Sequence, residues 1–347
     1  MRRSLLLLLL CAGCGRSGLV HYSSLPGEPP DAGKELVPCM TGELTPRPVV
    51  PAVMLVVDRS GSMDFDLAGN AGPPFGNPLT GPTRWAVLRA SLESTLSHFD
   101  QQIAFGMVMF PGDDFCGAPS AIELQPRAGN ATQVLARFNR VPEGGTPTFG
   151  AVNAAGDLLV SVHGQAQVLI TDGDPNCNSA LDPDTCDCTA PRVGVPPVCS
   201  EATACRDGDR AIDGIRRLRQ DRGITTYVVG VGSSTSTVLH TLDNMAIAGG
   251  APRTGGSHTF YSGATQASLT EALEAISTRL SHCTWATGTR LGPTDLVTVM
   301  VGADVVPSQV TDGWSWVDQT SGDFVLQGSW CTRAAAGEPV LVRLECR

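Results

Sequence analysis

The chain has 347 residues, 42% hydrophobic and 17% charged, a globular rather than a disordered composition. Lys+Arg number 24 against 34 Asp+Glu, and the net charge of −10 argues against nucleic acid and against electrostatic attachment to anionic lipid. Lys34 is the only lysine, which excludes a GxxxxGK[ST] phosphate loop and argues against Schiff-base chemistry, and HExxH and GxSxG are also missing.

Arg2 and Arg3 form a basic start, Leu5 to Leu10 a short apolar stretch, and Ala12-Gly13 precede Cys14. This is the pattern of an export signal that is removed. It is far shorter than the roughly 20 apolar residues that span a bilayer, and no other apolar run approaches that length. The stretch L-C-A-G-C at 10–14 resembles a bacterial lipoprotein signal, with Cys11 where such signals usually carry an aliphatic residue. The resemblance implies lipidation at Cys14 and anchoring to a bacterial membrane, with the outer membrane or cell surface as the expected location. The alternative is ordinary secretion with cleavage nearby. Residues 15–48, with "LPGEPPDAG" in the middle, read as a flexible tether.

From Val49 the pattern changes. Val53 to Val57 form a continuous apolar run ending in Asp58, and Ile103 to Phe110, Val168 to Ile170 and Tyr227 to Val231 follow. Continuous runs predict strands buried on both faces, as in a parallel sheet. Between them Trp85 to Phe99 carries Leu88, Leu92 and Leu96 at helical spacing. Ile212, Ile215 and Leu218 precede a capping Gly223. Leu269, Leu273, Ile276 and Leu280 form one stripe, with Ser268 and Glu271 at capping-box spacing. The alternation predicts a doubly wound, mainly parallel α/β domain over 49–282. Over 283–347 the runs Leu296 to Val301, Gly313 to Val317, Phe324 to Leu326 and Val340 to Leu344 predict a small all-β module. Four of the five tryptophans fall there, and a core role suits them better than a sugar-stacking face.

Three loops follow predicted strands or precede a helix: Asp58-Arg59-Ser60-Gly61-Ser62, Gly144-Gly145-Thr146 and Thr171-Asp172-Gly173. In a parallel sheet the loops after the C-terminal strand ends meet in one crevice. Asp58, Ser60, Ser62, Thr146 and Asp172 then make an all-oxygen set of two carboxylates and three hydroxyls. Such a set suits a hard cation, Mg²⁺ or else Mn²⁺ or Ca²⁺. With two anionic donors the set is incomplete, so water or a visiting carboxylate fills at least one position. DxSxS at 58–62, then Thr146, then Asp172 resemble the metal-ion-dependent adhesion site of von Willebrand factor type A domains. The resemblance covers about Val49 to His282. It implies that both serines bind metal directly, Thr146 directly when a ligand is engaged, and the aspartates directly or through water. "TDGDPNC" and "YVVGVG" also resemble bacterial lipoproteins carrying this domain.

Beyond Cys14 there are ten cysteines, an even set that reads as disulfides in an exported protein. Cys177, Cys186, Cys188, Cys199 and Cys205 lie in the insert 173–205, which is too polar to order itself by burial. Five is odd, and Cys116, at the same sheet end, is the expected outside partner. In domains of the resembled family the two ends lie close, which implies a Cys39–Cys283 pair and leaves Cys331 with Cys346. Asp64 and Asp66 read as solvated loop residues, and Glu143 as either a neighbour of the site or a turn residue. Asp182, Asp184 and Asp187 lack the glycine and glutamate of a calcium loop. The six histidines are scattered without metal spacing.

These readings lead to a cell-envelope lipoprotein that binds a protein or surface polymer through a partner carboxylate on a divalent cation, for adhesion or scaffolding. Membrane contact is expected through the lipid anchor alone. No nucleophile–base pair is visible, so no enzyme activity is expected. The alternatives are a Mg²⁺-dependent phosphoester enzyme, with Arg59 as its phosphate clamp, and a structural envelope protein whose metal only stabilises the fold.

Overall fold

Two short strands, β1 (Gly42–Leu44) and β2 (Arg47–Pro48), begin the ordered elements of the computed structural model. The structure describes residues 41–346 except 75, 114, 118, 120–122, 160–164, 189–198, 200–203, 233–234, 292–294, 309, 311 and 320. The expectations for Cys14, Cys39 and most of the tether therefore lie outside the described residues. The next elements are β3 (Ala52–Asp58), α1 (Arg84–Phe99), β4 (Ala104–Phe110), β5 (Leu124–Arg127), α2 (Ala131–Ala136) and α3 (Thr148–Leu159). Then come β6 (Gln165–Thr171), α4 (Gly208–Arg222), β7 (Thr225–Val231), α5 (Ser236–Ala248), β8 (Tyr261–Gly263) and α6 (Gln266–Cys283).

All seven residues of β3 are buried, as they must be for a strand covered on both faces. It lies inside a sheet of order β5-β4-β3-β6-β7-β8, in which every pair is parallel except β4 with β5. Side chains alternate across β3. Val53, Leu55 and Val57 pack with Leu88 and Leu92 of α1 and with Leu273 and Ile276 of α6. Met54 and Val56 pack on the other face with Val152 of α3, Ile215 of α4 and Leu242 of α5. Each such fully buried aliphatic side chain contributes about 1.5–3 kcal/mol. The doubly wound α/β fold expected from the apolar runs is present.

Capping differs in one place from the sequence pattern. α6 starts one turn earlier than Ser268, with Thr265 as its N-cap and Ser268 answering from the third helical position. Glu271 takes no part in this box. Gly223 does cap α4, at φ +67, and a side chain there would meet the Val317 carbonyl of the second module. The position needs glycine for both reasons.

The second module holds β9 (Thr284–Ala286), β10 (Asp295–Val301), β11 (Asp304–Val305), β12 (Trp314–Asp318), β13 (Asp323–Leu326), α7 (Ser329–Ala335) and β14 (Val340–Cys346). Its two sheets have the orders β1-β14-β10-β11 and β12-β13-β9-β2. Two expectations are corrected here. Residues 42–48 are not tether, because β1 pairs antiparallel with β14 and β2 with β9. The module is also not all-β, since the seven-residue α7 packs against it. Trp314 is buried and meets Trp316 edge-on at 4.8 Å and Phe324 at 6.0 Å, which makes these rings core.

Candidate metal centre

β3 and β6 are adjacent, parallel and in register, with Val57 opposite Ile170. Their ends therefore deliver Asp58 and Thr171-Asp172 side by side. The Thr171 hydroxyl donates to Asp58 Oδ2 at 2.6 Å, and the Ser60 amide donates to Asp58 Oδ1 at 2.8 Å. A single 3-10 turn, Gly61–Asp64, follows the strand and turns Ser62 back over it. Ser60 Oγ then lies 3.1 Å from Ser62 Oγ, and Ser62 Oγ donates to Asp172 Oδ1 at 2.9 Å. The Gly61 amide donates to the Gly144 carbonyl at 3.0 Å, which ties the Gly144–Thr146 loop to this turn. The Thr146 amide donates to Asn176 Oδ1, and its Oγ1 lies 3.8 Å from where a side chain on Gly173 would begin. The structure thus brings the five expected residues to one sheet end; Asp58, Ser60, Thr146 and Asp172 are buried and Ser62 half-buried.

Burial pushes the carboxyls of Asp58 and Asp172 above the usual range. The negative field of Asp172 adds to the rise at Asp58, and Arg84 opposes it at Asp172. Two buried carboxyls that resist ionisation beside three hydroxyls are a hard-cation donor set. An octahedral ion at about 2.0–2.1 Å from its oxygens has donor–donor edges of about 3 Å. The Ser60–Ser62 and Ser62–Asp172 oxygen separations match that edge. The residues fit a small divalent cation.

Arg84 was missed by the sequence reading. It is the first residue of α1, is buried, and donates from Nη1 to Asp172 Oδ2 at 2.5 Å. A cation at a helix N-terminus opposes the helix dipole, and that anomaly was the available signal. Arg59, the nearby cation that the enzymatic alternative would use as a phosphate clamp, is engaged by the rim loops. Its guanidinium donates to the carbonyls of Pro111, Val141 and Asp113 and pairs with Glu143 at 3.1 Å, which stitches the rim loops together. Glu143 is thus a loop tie. Asp66 is not a solvated loop residue either. It is buried and accepts from the amides and side chains of Asn70 and Thr80, which hold its carboxyl well below the usual range. Asp64 is exposed. His98 faces Glu274 and His258 faces Asp243, far apart in the chain.

Cys116 bridges Cys177, Cys186 bridges Cys205, and Cys188 bridges Cys199. The Cys39–Cys283 and Cys331–Cys346 pairs are overturned, because Cys283 bridges Cys331 across a Cα separation of 5.3 Å. The physical reason is that α6 ends at Cys283 against α7, which carries Cys331. Cys186, Cys199 and Cys205 gather their sulfurs within 4.8 Å, but as disulfides they offer no thiolate to a metal.

The strand order, the single antiparallel edge strand and the three oxygen-bearing loops settle the architecture. The α/β unit has the von Willebrand factor type A fold. No family model matches the chain, and no curated protein matches it. Among solved structures, it is similar to the PilB minor pilin of Streptococcus sanguinis at 16% identity and a TM-score of 0.47, covering 68% of this chain and 62% of the pilin. It is similar to the von Willebrand factor domain of the type V pili tip protein Mfa5 of Porphyromonas gingivalis at 13% identity and a TM-score of 0.42, covering 67% and 95%. A von Willebrand factor type A protein of Catenulispora acidiphila matches at 12% identity and a TM-score of 0.36, covering 89% and 62%. The chain thus spans less than two thirds of the pilin and of the Catenulispora protein.

Proposed function

We propose that this protein is a non-enzymatic binding protein of the bacterial envelope. It holds Mg²⁺, or Mn²⁺ or Ca²⁺ in its place, on Asp58, Ser60, Ser62, Thr146 and Asp172, and engages a carboxylate of a protein or surface polymer through that ion. The observation that carries this reading is the run of oxygens from Ser60 through Ser62 to Asp172, spaced as octahedral edges beside the buried Asp58 carboxyl. Two carboxylates leave a divalent ion short of donors, and a partner carboxylate completes it. Arg59, the nearest alternative phosphate clamp, is committed to loop carbonyls, which disfavours phosphoester chemistry. The test is retention of purified protein on intact envelopes in Mg²⁺ and in EDTA. Retention in Mg²⁺ with release by EDTA is expected, and equal retention in both overturns the reading.

Anchoring is proposed at Cys14, on the L-C-A-G-C stretch. Cys14→Ala is expected to move the protein from the membrane fraction to the soluble fraction. Identical fractionation of both forms as soluble protein overturns lipidation. Envelope display would place the metal site where an exported partner can reach it.

A further inference from the structure

We infer that Arg84 is the built-in counter-cation of this site: it loosens the hold on the metal and leaves the loaded site with a net positive charge for an anionic partner. The inference deepens, and rests on, the metal reading above. The guanidinium is fixed by three separate parts of the chain: the loop after β6, the turn after β3 and the loop after β7. Nη1 donates to Asp172 Oδ2 at 2.5 Å and to the Ser62 carbonyl at 3.4 Å, and Nη2 donates to the Gly232 carbonyl at 3.4 Å. The Phe65 ring lies beneath it, 5.8 Å from the guanidinium carbon to the ring centroid. Room for it is reserved by the backbone. Gly232 has φ +62, and a side chain there would begin 2.8 Å from Arg84 Nε. The group is buried, at 7% exposure.

The charge arithmetic follows. Asp58, Asp172 and Arg84 together leave one net negative charge when both carboxyls are ionised. A divalent ion turns that into one net positive charge, which a single partner carboxylate neutralises. Without Arg84 the loaded site would already be neutral, and an approaching carboxylate would gain little from the field. The cost is affinity for the ion itself. Arg84 shares Asp172 with the metal and repels it across a buried, weakly screened space. Arg84 is thus a positioning residue that trades metal affinity for the capacity to attract an anion.

The test is titration calorimetry with MgCl₂ alone, together with melting in EDTA. Arg84→Gln is expected to bind Mg²⁺ at least about tenfold more tightly than wild type, from the loss of a like charge. In EDTA the same variant is expected to melt about 5–10 °C lower, because Asp172 loses its buried partner. A merely structural arginine would lower both stability and affinity. Arg84→Lys keeps the charge, and its affinity is expected to stay within about threefold of wild type. Equal or weaker Mg²⁺ binding by Arg84→Gln overturns the inference, and so does tenfold tighter binding by Arg84→Lys. A wild-type protein that binds no Mg²⁺, Mn²⁺ or Ca²⁺ overturns the metal reading itself, a result distinct from either.

Discussion

Mg²⁺ or Mn²⁺ at a hundred times its dissociation constant is expected to raise the unfolding free energy by about 2.7 kcal/mol, and Asp58→Ala is expected to remove all of that gain. Asp58 is chosen because it is wholly buried at the end of a central strand, between the Thr171 hydroxyl and the Ser60 amide. A cation bound there offsets the burial of charge that resists ionisation at both carboxyls. The unfolded chain has no such arrangement, so binding favours the folded state. The measurement is calorimetric melting of both forms with the metal and with EDTA. A cation-dependent shift that survives in Asp58→Ala would place the ion elsewhere. Thr146→Ala is expected to reduce the shift less, since Thr146 brings a neutral hydroxyl and no charge.

Replacing both Cys116 and Cys177 by serine is expected to cost about 4 kcal/mol, more than the loss of either bridge inside the insert. The sequence separation of 61 explains the size, against 19 for Cys186–Cys205 and 11 for Cys188–Cys199, where loop closure predicts about 3 kcal/mol each. The effect should also reach the metal site. The Gly145 amide donates to the Phe115 carbonyl, and a side chain on Gly145 would begin 2.7 Å from Cys177 Sγ. The bridge therefore holds the loop that presents Thr146 from both sides. Urea unfolding measures the stability, and hydrogen exchange over 144–148 measures the loop. A loss below about 1 kcal/mol with unchanged exchange would show that the loops hold themselves.

The buried strands were legible because a strand covered on both faces needs an unbroken apolar run, and Val53 to Val57 is one. The convergence of Asp58 and Asp172 was legible for the same reason, since both end strands of that type. The polar ties of the rim were not. Arg84, Arg59 and Asp66 each act through partners between roughly 10 and 150 residues away, at Asp172, Gly232, Pro111, Val141 and Thr80. Periodicity reports which face a residue occupies and carries no information on such pairings. β1 and β2 were missed because strands of three and two residues beside Pro46 and Pro48 have no pattern of their own. They exist only because β14 and β9 supply partners. The Cys283–Cys331 bridge likewise depends on where α7 packs, and α7 lies in a stretch whose short apolar runs read as strand.

The pairing of β1 with β14 and of β2 with β9 has a mechanical consequence. Any tension applied to the chain ahead of Gly42 follows the backbone through β1 and β2 into β3, whose last residue is Asp58. The antiparallel pairs Gly42 with Leu344 through Leu44 with Val342, and Arg47 with Ala286, stand in the way. They would have to peel apart before the pull reached β3. β3 itself is gripped on both sides by parallel neighbours, so the pull would meet it in shear, across many hydrogen bonds at once. The second module thus stands as a strain relief between the chain ahead of Gly42 and the strand that ends in Asp58.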